Sequence, residues 1–473
     1  MPALDCSTQP SGGPKPPLAI FSMNRASACS PSHDTPVSHL RIDTSSLVYS
    51  HCPQRNTTSP FAQPLRIKAL LAALQITADC SPDIPISVEL SDSVGVPNIE
   101  WERVASWIHS ALRIRRMNAC YRSMRPRCAR VFNLVPSGGP PLMSGTFQQH
   151  LAIETEALFA KHLIDRPRNR LGPGKFAELL HRRSARNGVT CSEIPLSPNV
   201  GVATQVVGRA ATESPRILRI SYDGARATES RRLWLCGKGI TMDTGGLGLK
   251  GQAGMRAMKT DMAGAAIAAG AVFAAARLQL PINVTALLAI AENAIGPASY
   301  APGDVLRYPN GQTVEVTDTD SEGRLVLADL CLLADQEGAD HAITIGTLTD
   351  VVSWTIGRDR AGLQTDSADL ARQLIAAGEK SGEPVWHLPI PPEHESMMDG
   401  GWVDLVNSAG PAYGAAQPAL FLKRFVGNME WGHLEITGPS FLSEWSGASA
   451  TGFGISLLAE YMRSIAQGVG RNA

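Results

Sequence analysis

At 473 residues the chain is too long to fold around one compact core, so two domains are expected. Its 43 basic and 43 acidic side chains cancel, leaving no basic excess to mark an obligate nucleic-acid partner and no acidic excess to mark a solvating tail. No run of apolar residues is long enough for a transmembrane helix, and nine widely spread cysteines without a C-x-x-C pair argue against a zinc knuckle or a disulfide framework, so a reducing, intracellular compartment is expected.

Residues 1–62 are rich in Ser, Pro and Thr with little periodicity, the composition of a disordered leader. No charged region precedes a clean apolar run near Met1, so a signal peptide is not expected. Arg25, Arg41 and Arg55 are balanced by Asp5, Asp34 and Asp43, unlike an Arg-rich, acid-poor transit peptide. A cytoplasmic location is the expectation, with organellar targeting by this leader left open. Residues 63–145 read as a small N-terminal α/β domain, with helices over 65–74 and 101–114 and a strand over 86–90. No chemistry clusters there, and Ser137-Gly138-Gly139-Pro140-Pro141 is the candidate linker.

The larger domain, 146–473, opens with helices over 148–164 and 174–187, broken at 165–169. Strands over 216–222 and 233–237, an Ala-rich helix over 263–278, and nearly continuous apolar strands over 282–291 and 342–348 then alternate. Apolar strands of this kind are buried on both faces, which predicts an α/β catalytic domain with a mainly parallel central sheet. In such sheets chemistry gathers at the carboxyl ends of strands.

Two charged stretches follow predicted strands directly. Asp318, Asp320, Glu322 and Arg324 crowd into seven residues between a strand (312–316) and a helix (325–334). Carboxylates this close repel one another, and burial keeps them ionised only with cations between them; a solvated acidic cap on the helix is the alternative. In the second stretch, 233–250, Cys236 reads as a core residue, and Lys238 and Asp243 fall on a glycine-rich turn ending near Lys250. The G-x-x-x-x-G-K-[ST] spacing of a phosphate loop is absent. Asp261 opens the Ala-rich helix, where a first-turn acid complementing the helix dipole is the simpler reading. Asp243, Asp261, Asp320 and Glu322 together balance two divalent cations in charge, the arrangement by which two-metal hydrolases hold substrate and activate water. Such ligation suits zinc or manganese, and equally magnesium or cobalt. Beside two dications one lysine is expected neutral and ligating, another charged and polarising a carbonyl.

DTDSEGRL (318–325) resembles the NTDAEGRL signature of the leucine aminopeptidase (cytosol aminopeptidase) family. GKGITMDTGG (237–246), PGDVLRYPNGQTVEV (302–316), GTLT (346–349), WGHLEITGP (431–439) and TGFG (451–454) extend the likeness over roughly residues 160–465, and DTGGLGLKG with MKTD is similar to a probable-aminopeptidase branch of it. The resemblance implies a hexamer of two-domain subunits that removes N-terminal residues from peptides with a free amino end, with no part for nucleic acid or membrane. It implies Lys238, Asp243, Asp261 and Glu322 around one metal and Asp243, Asp320 and Glu322 around the other, the Asp320 carbonyl adding a ligand. Lys250 would polarise the scissile carbonyl, and Arg324 would anchor a bicarbonate-like anion acting as general base. Met258, Thr347 and Thr349 would border the pocket for the first side chain, and the Leu348 main chain would bind substrate. Two departures stand out: Asp318 replaces the usual Asn, and Asp350 replaces the usual Gly, adding charge and bulk to an apolar pocket. Asp350 motivates the alternative of a catalytically weak scaffold or regulatory member. His433, Trp431 and Phe453 read as packing residues, and Asn293 as a residue that orients a loop at the site.

Overall fold

The computed structural model describes residues 38–43, 86–91, 132–136, 145–224, 232–441 and 450–469. The chain separates into two compact units, Met1–His109 with Pro126–Met143, and Ser110–Arg125 with Ser144–Ala473. In the first, strands β1 (Ser38–Asp43), β2 (Ile86–Ser91) and β3 (Phe132–Pro136) form a parallel sheet in the order β1-β2-β3. The stretch read as a leader thus contains a strand, in which Leu40 and Ile42 alternate with polar neighbours. The helices expected over 65–74 and 101–114 and the linker at 137–141 lie outside the described residues.

The second unit is built on eight strands: β4 (Thr190–Ile194), β5 (Arg216–Asp223), β6 (Arg232–Asp243), β7 (Asn283–Asn293), β10 (His341–Gly346), β11 (Ala361–Gln364), β12 (Val385–Leu388) and β14 (Glu430–Glu435). Three short strands, β8 (Val305–Arg307), β9 (Thr313–Glu315) and β13 (Leu405–Val406), form a separate small sheet. The large sheet runs β12-β11-β14-β10-β6-β7-β5-β4, and its middle four strands are parallel. β5, β4 and β11 are antiparallel additions outside them.

Alternate residues of the central strands enter opposite cores. Leu233 and Leu235 pack with the helices Gly145–Ile164, Ala263–Arg277 and Ile455–Val469, whereas Trp234, Cys236 and Ile240 pack with the helix Glu322–Gln336. Both faces are covered, which is why these strands read as unbroken apolar runs.

β6 runs further than expected. It continues through Lys238 to Asp243, so both residues sit on the strand and not on a turn beyond it. Gly237 and Gly239 serve close approach: a Cβ on Gly237 would lie 2.6 Å from Ala265 Cα, and one on Gly239 2.5 Å from Ala289 O. Sequence alone makes glycines here indistinguishable from turn residues. The turn comes at Gly245 and Gly246, whose φ values of 85° and 64° disfavour any side chain. A register shift between Ile240 and Asp243 re-aims the end of β6. At Gly264 and Ala265 the main chain of the Ala263–Arg277 helix packs directly on β6 and β10.

Candidate active site

The carboxyl ends of β6, β10 and β14 open on one cavity of about 390 Å³. β6 carries Lys238 and Asp243. Asp261 follows the short helical turn Met258–Thr260, Asp320 precedes the helix Glu322–Gln336, and Glu322 is its first residue. Asp243, Asp320 and Glu322 each offer an oxygen to a group whose members lie within 4.8 Å of one another.

The carboxylates are divided between two lysines. Lys238 Nζ lies 2.8 Å from Asp261 Oδ1, 2.7 Å from Asp261 Oδ2 and 2.8 Å from Glu322 Oε1, and donates to Thr347 O at 3.0 Å. Lys250 Nζ lies 2.8 Å from Asp243 Oδ2 and also pairs with Asp320 Oδ1. Burial works against both ammonium groups, but the surrounding carboxylates prevail and hold both pKa values above the ordinary lysine value. Even so the site is short of positive charge. Burial, then repulsion from Asp243 and Asp261, raises Glu322 to about 8 against the pull of the lysines, and burial first of all raises Asp261 and Asp320 to about 6. Glu322 Oε2 is buried without accepting a hydrogen bond, and Glu322 Oε1, Asp261 Oδ2 and Asp320 Oδ1 have only their lysine contacts. Hard anionic oxygens that are buried and short of donors fit divalent cations.

The remaining expected residues fall around this centre. Arg324 is buried and lines the cavity; its Nη1 donates to Asn407 O at 2.7 Å, and burial lowers it to about 10 against the opposing pull of Asp318, Glu322 and Glu435. Met258, Thr347, Leu348, Thr349 and Asp350 all line the wall. Asp350, at the start of the helix Asp350–Ile356, is exposed. Asp318 uses both carboxylate oxygens within the turn, accepting from Asp320 N at 2.9 Å and from Ser321 Oγ at 2.8 Å. His433 is fully buried, its Nδ1 3.0 Å from Thr344 Oγ1, and Trp431 and Phe453 are buried in the cores. Asn293 does more than orient a loop: its Nδ2 donates to Asp243 Oδ1 at 2.8 Å and to Thr319 O at 3.0 Å, tying a candidate ligand to the Asp320 turn.

Several organising residues escaped the sequence reading. Asn407 accepts from Thr317 N and Asp318 N through Oδ1, and donates to Asp318 O through Nδ2, fixing the ligand turn from ninety residues away. Thr319 Oγ1 donates to Gly245 O at 2.6 Å and accepts from Gly248 N at 2.7 Å, joining that turn to the loop of Lys250. Gln417 brackets the 409–412 loop through Ala409 N, Gly410 O and Ala412 O. Asn407 and Gln417 sit in no charged cluster, and Thr319, though inside the 318–324 run, is the uncharged residue between two acids. Glu435 carried little signal either, since it ends a strand that also holds Glu430 and His433.

Residues 158–459 match the cytosol aminopeptidase family, catalytic domain. The chain is 38% identical over 314 residues to a probable cytosol aminopeptidase of Geobacter sulfurreducens, covering 65% of this chain and 63% of that protein. It is 34% identical over 346 residues to leucine aminopeptidase 2, chloroplastic, of Arabidopsis thaliana, covering 70% of this chain and 58% of that one. The match thus spans less than two thirds of these relatives' length. Among solved structures, the bottromycin maturation enzyme BotP in complex with Mn superposes with a TM-score of 0.73 at 29% identity, over 85% of this chain and 87% of its own.

Proposed function

The chain belongs to the cytosol aminopeptidase family, and from that premise we propose that it is a two-metal aminopeptidase releasing the first residue of peptides with a free amino end. The observation that carries the reading is the convergence of Asp243, Asp261, Asp320 and Glu322, from distant segments, on one buried centre with two lysines. Lys238, Asp243, Asp261 and Glu322 would hold one divalent ion, and Asp243, Asp320 and Glu322 the other. Bound there, the ions would polarise the scissile carbonyl and activate water. Zinc and manganese both suit these ligands, and the manganese complex of BotP supports the latter.

The protein's own groups complete the chemistry. Lys250 is the more accessible lysine and would stay protonated, stabilising negative charge on the substrate carbonyl oxygen. Lys238 would give up its proton to become a ligand. Asp261 would also face the substrate's free amine, which restricts cleavage to N-termini. Arg324 would anchor a bicarbonate-like anion. Met258, Thr347 and Thr349 would shape the pocket for the first side chain, with the Leu348 main chain holding the peptide. Asp350 adds negative charge to that wall, which supports weakened preference for leucine and tolerance of basic or small first residues.

A homohexamer in the cytoplasm, or in an organelle as the chloroplastic relative suggests, completes the reading; no helix among the described residues is long and apolar enough to cross a membrane. The test is release of the first residue from Leu-, Ala- and Arg-amides by purified protein supplied with Mn²⁺ or Zn²⁺, beside Lys250→Ala. Metal-dependent turnover lost in the variant supports the reading; equal turnover by both overturns it.

A further inference from the structure

We propose that Glu435 is a positioning residue that fixes the wall of the substrate cavity, taking the aminopeptidase reading as its premise for what that wall selects. Glu435 ends β14 and is 1% exposed. Its register places it opposite Gly346, the last residue of β10, directly beside the segment 347–349 that leaves the sheet. Its carboxylate accepts from Leu348 N at 3.1 and 3.0 Å, from Thr349 N at 3.0 Å, from Thr437 N at 3.1 Å and from Thr437 Oγ1 at 2.6 Å. His433 Nε2 lies 3.7 Å from Oε2. Leu348, Thr349 and Thr437, which supply all the hydrogen-bond donors, line the cavity.

A carboxylate buried at the end of a strand is costly unless its oxygens are satisfied, and a leucine would fill the same space without that cost. What the carboxylate gives in return is anchorage. The amides of Leu348 and Thr349 lie beyond the β10 ladder and ahead of the next helix, and a bent backbone there needs an acceptor. Charge-assisted bonds to main-chain N–H groups are short and directional, so one side chain sets the position of two consecutive peptide units. That position reaches the reaction centre, because Thr347 Oγ1 donates to Asp261 Oδ1 at 2.7 Å and Thr347 O accepts from Lys238 Nζ at 3.0 Å. Glu435 therefore sets the wall that meets the first side chain, and through Thr347 the orientation of Asp261 and Lys238, without touching substrate itself.

Glu435→Gln is the informative change. Thr437 binds Oε1 and Thr349 binds Oε2; an amide fills the space, but its NH₂ must face donors on one side or the other. Hydrogen exchange across residues 346–352 and relative kcat/KM on Leu-, Ala- and Arg-amides are the paired readouts. The expected result is exchange at least about tenfold faster in that segment, with the strands unchanged, and a fall of about tenfold in discrimination between first residues, carried by KM more than kcat. Glu435→Asp keeps the charge but withdraws it by one methylene, and should show the same changes to a smaller degree. Unchanged discrimination despite a loosened segment overturns the proposal, as does wild-type exchange in the variants. If the Gln variant unfolds, the Asp variant decides on the same two readouts. Should the wild-type protein hydrolyse no amide, the aminopeptidase premise fails and exchange alone decides whether Glu435 holds the segment.

Discussion

The two lysine–carboxylate groups of the site share one chemistry and differ in their access to water. Around Lys238 the side chains are 4%, 5% and 0% exposed for the lysine, Asp261 and Glu322. Around Lys250 the lysine is 18% exposed, Asp243 2% and Asp320 34%. Charges in the first group interact in a low-dielectric interior, where removing a partner strands the rest; charges in the second are partly screened. On the proposed aminopeptidase reading the difference would separate labour: the sealed group would build the centre, and the open group would meet the substrate.

The severest way to break this comparison is to truncate one member from each side. Lys238→Ala strands Asp261 and Glu322 in the interior without their cation and should lower unfolding free energy by about 3–5 kcal/mol, whereas Asp320→Ala should lower it by about 1 kcal/mol or less. Urea denaturation of metal-free protein measures both, and equal losses would erase the distinction. Lys250→Ala comes next. It should lower kcat on a leucyl amide by about 10²–10³-fold, the effect of removing one donor to a developing oxyanion, while the urea midpoint moves little.

Titration sharpens the comparison further. Asp261 and Asp320 are held at about 6 and Glu322 at about 8, burial being the chief cause in each. Acids whose folded pKa lies above the unfolded value of ~4 bind protons more tightly when folded, so they favour the fold below that pH and lose the advantage as pH rises through 6 and then 8. Chelator-treated protein should melt at lower temperature at pH 8 than at pH 5, and Mn²⁺ should restore most of the difference. Asp329, raised to about 6 chiefly by burial despite its bonds from Thr204, adds the same trend outside the site; Asp329→Asn subtracts it. The smallest effect belongs to the wall: Asp350→Gly should raise the Leu-to-Arg ratio of kcat/KM by about tenfold, read from the same amides.

Much of this site was legible because its chemistry is written in charge. Burial of the acids between Asp318 and Arg324 is opposed unless cations offset them, and that argument does not depend on which fold carries the run. The alternating β–α pattern from 216 onward also located the sheet. The misreading at β6 has a clear cause: glycine marks turns and close contacts alike, and only the neighbouring Ala263–Arg277 helix distinguishes them. Asn407 and Thr319 act through hydrogen bonds to main chain some 70 to 90 residues away, a property of topology that leaves no local trace, and Gln417 does the same for the nearby 409–412 loop. The strand at Ser38–Asp43 was hidden for another reason, since two alternating apolar residues are too few to stand out in a Ser- and Pro-rich stretch.

One contact sets which parts of the domain can be re-engineered. A methyl group added at Gly264 would come within 3.0 Å of Lys238 N, and one at Gly237 would strike Ala265. Lysine and helix share no slack, so a randomised library at these positions should return almost only the parental residues. Leu247, Leu249 and Trp354, all more than half exposed, offer the opposite landscape, where substitution meets solvent and not a packed neighbour.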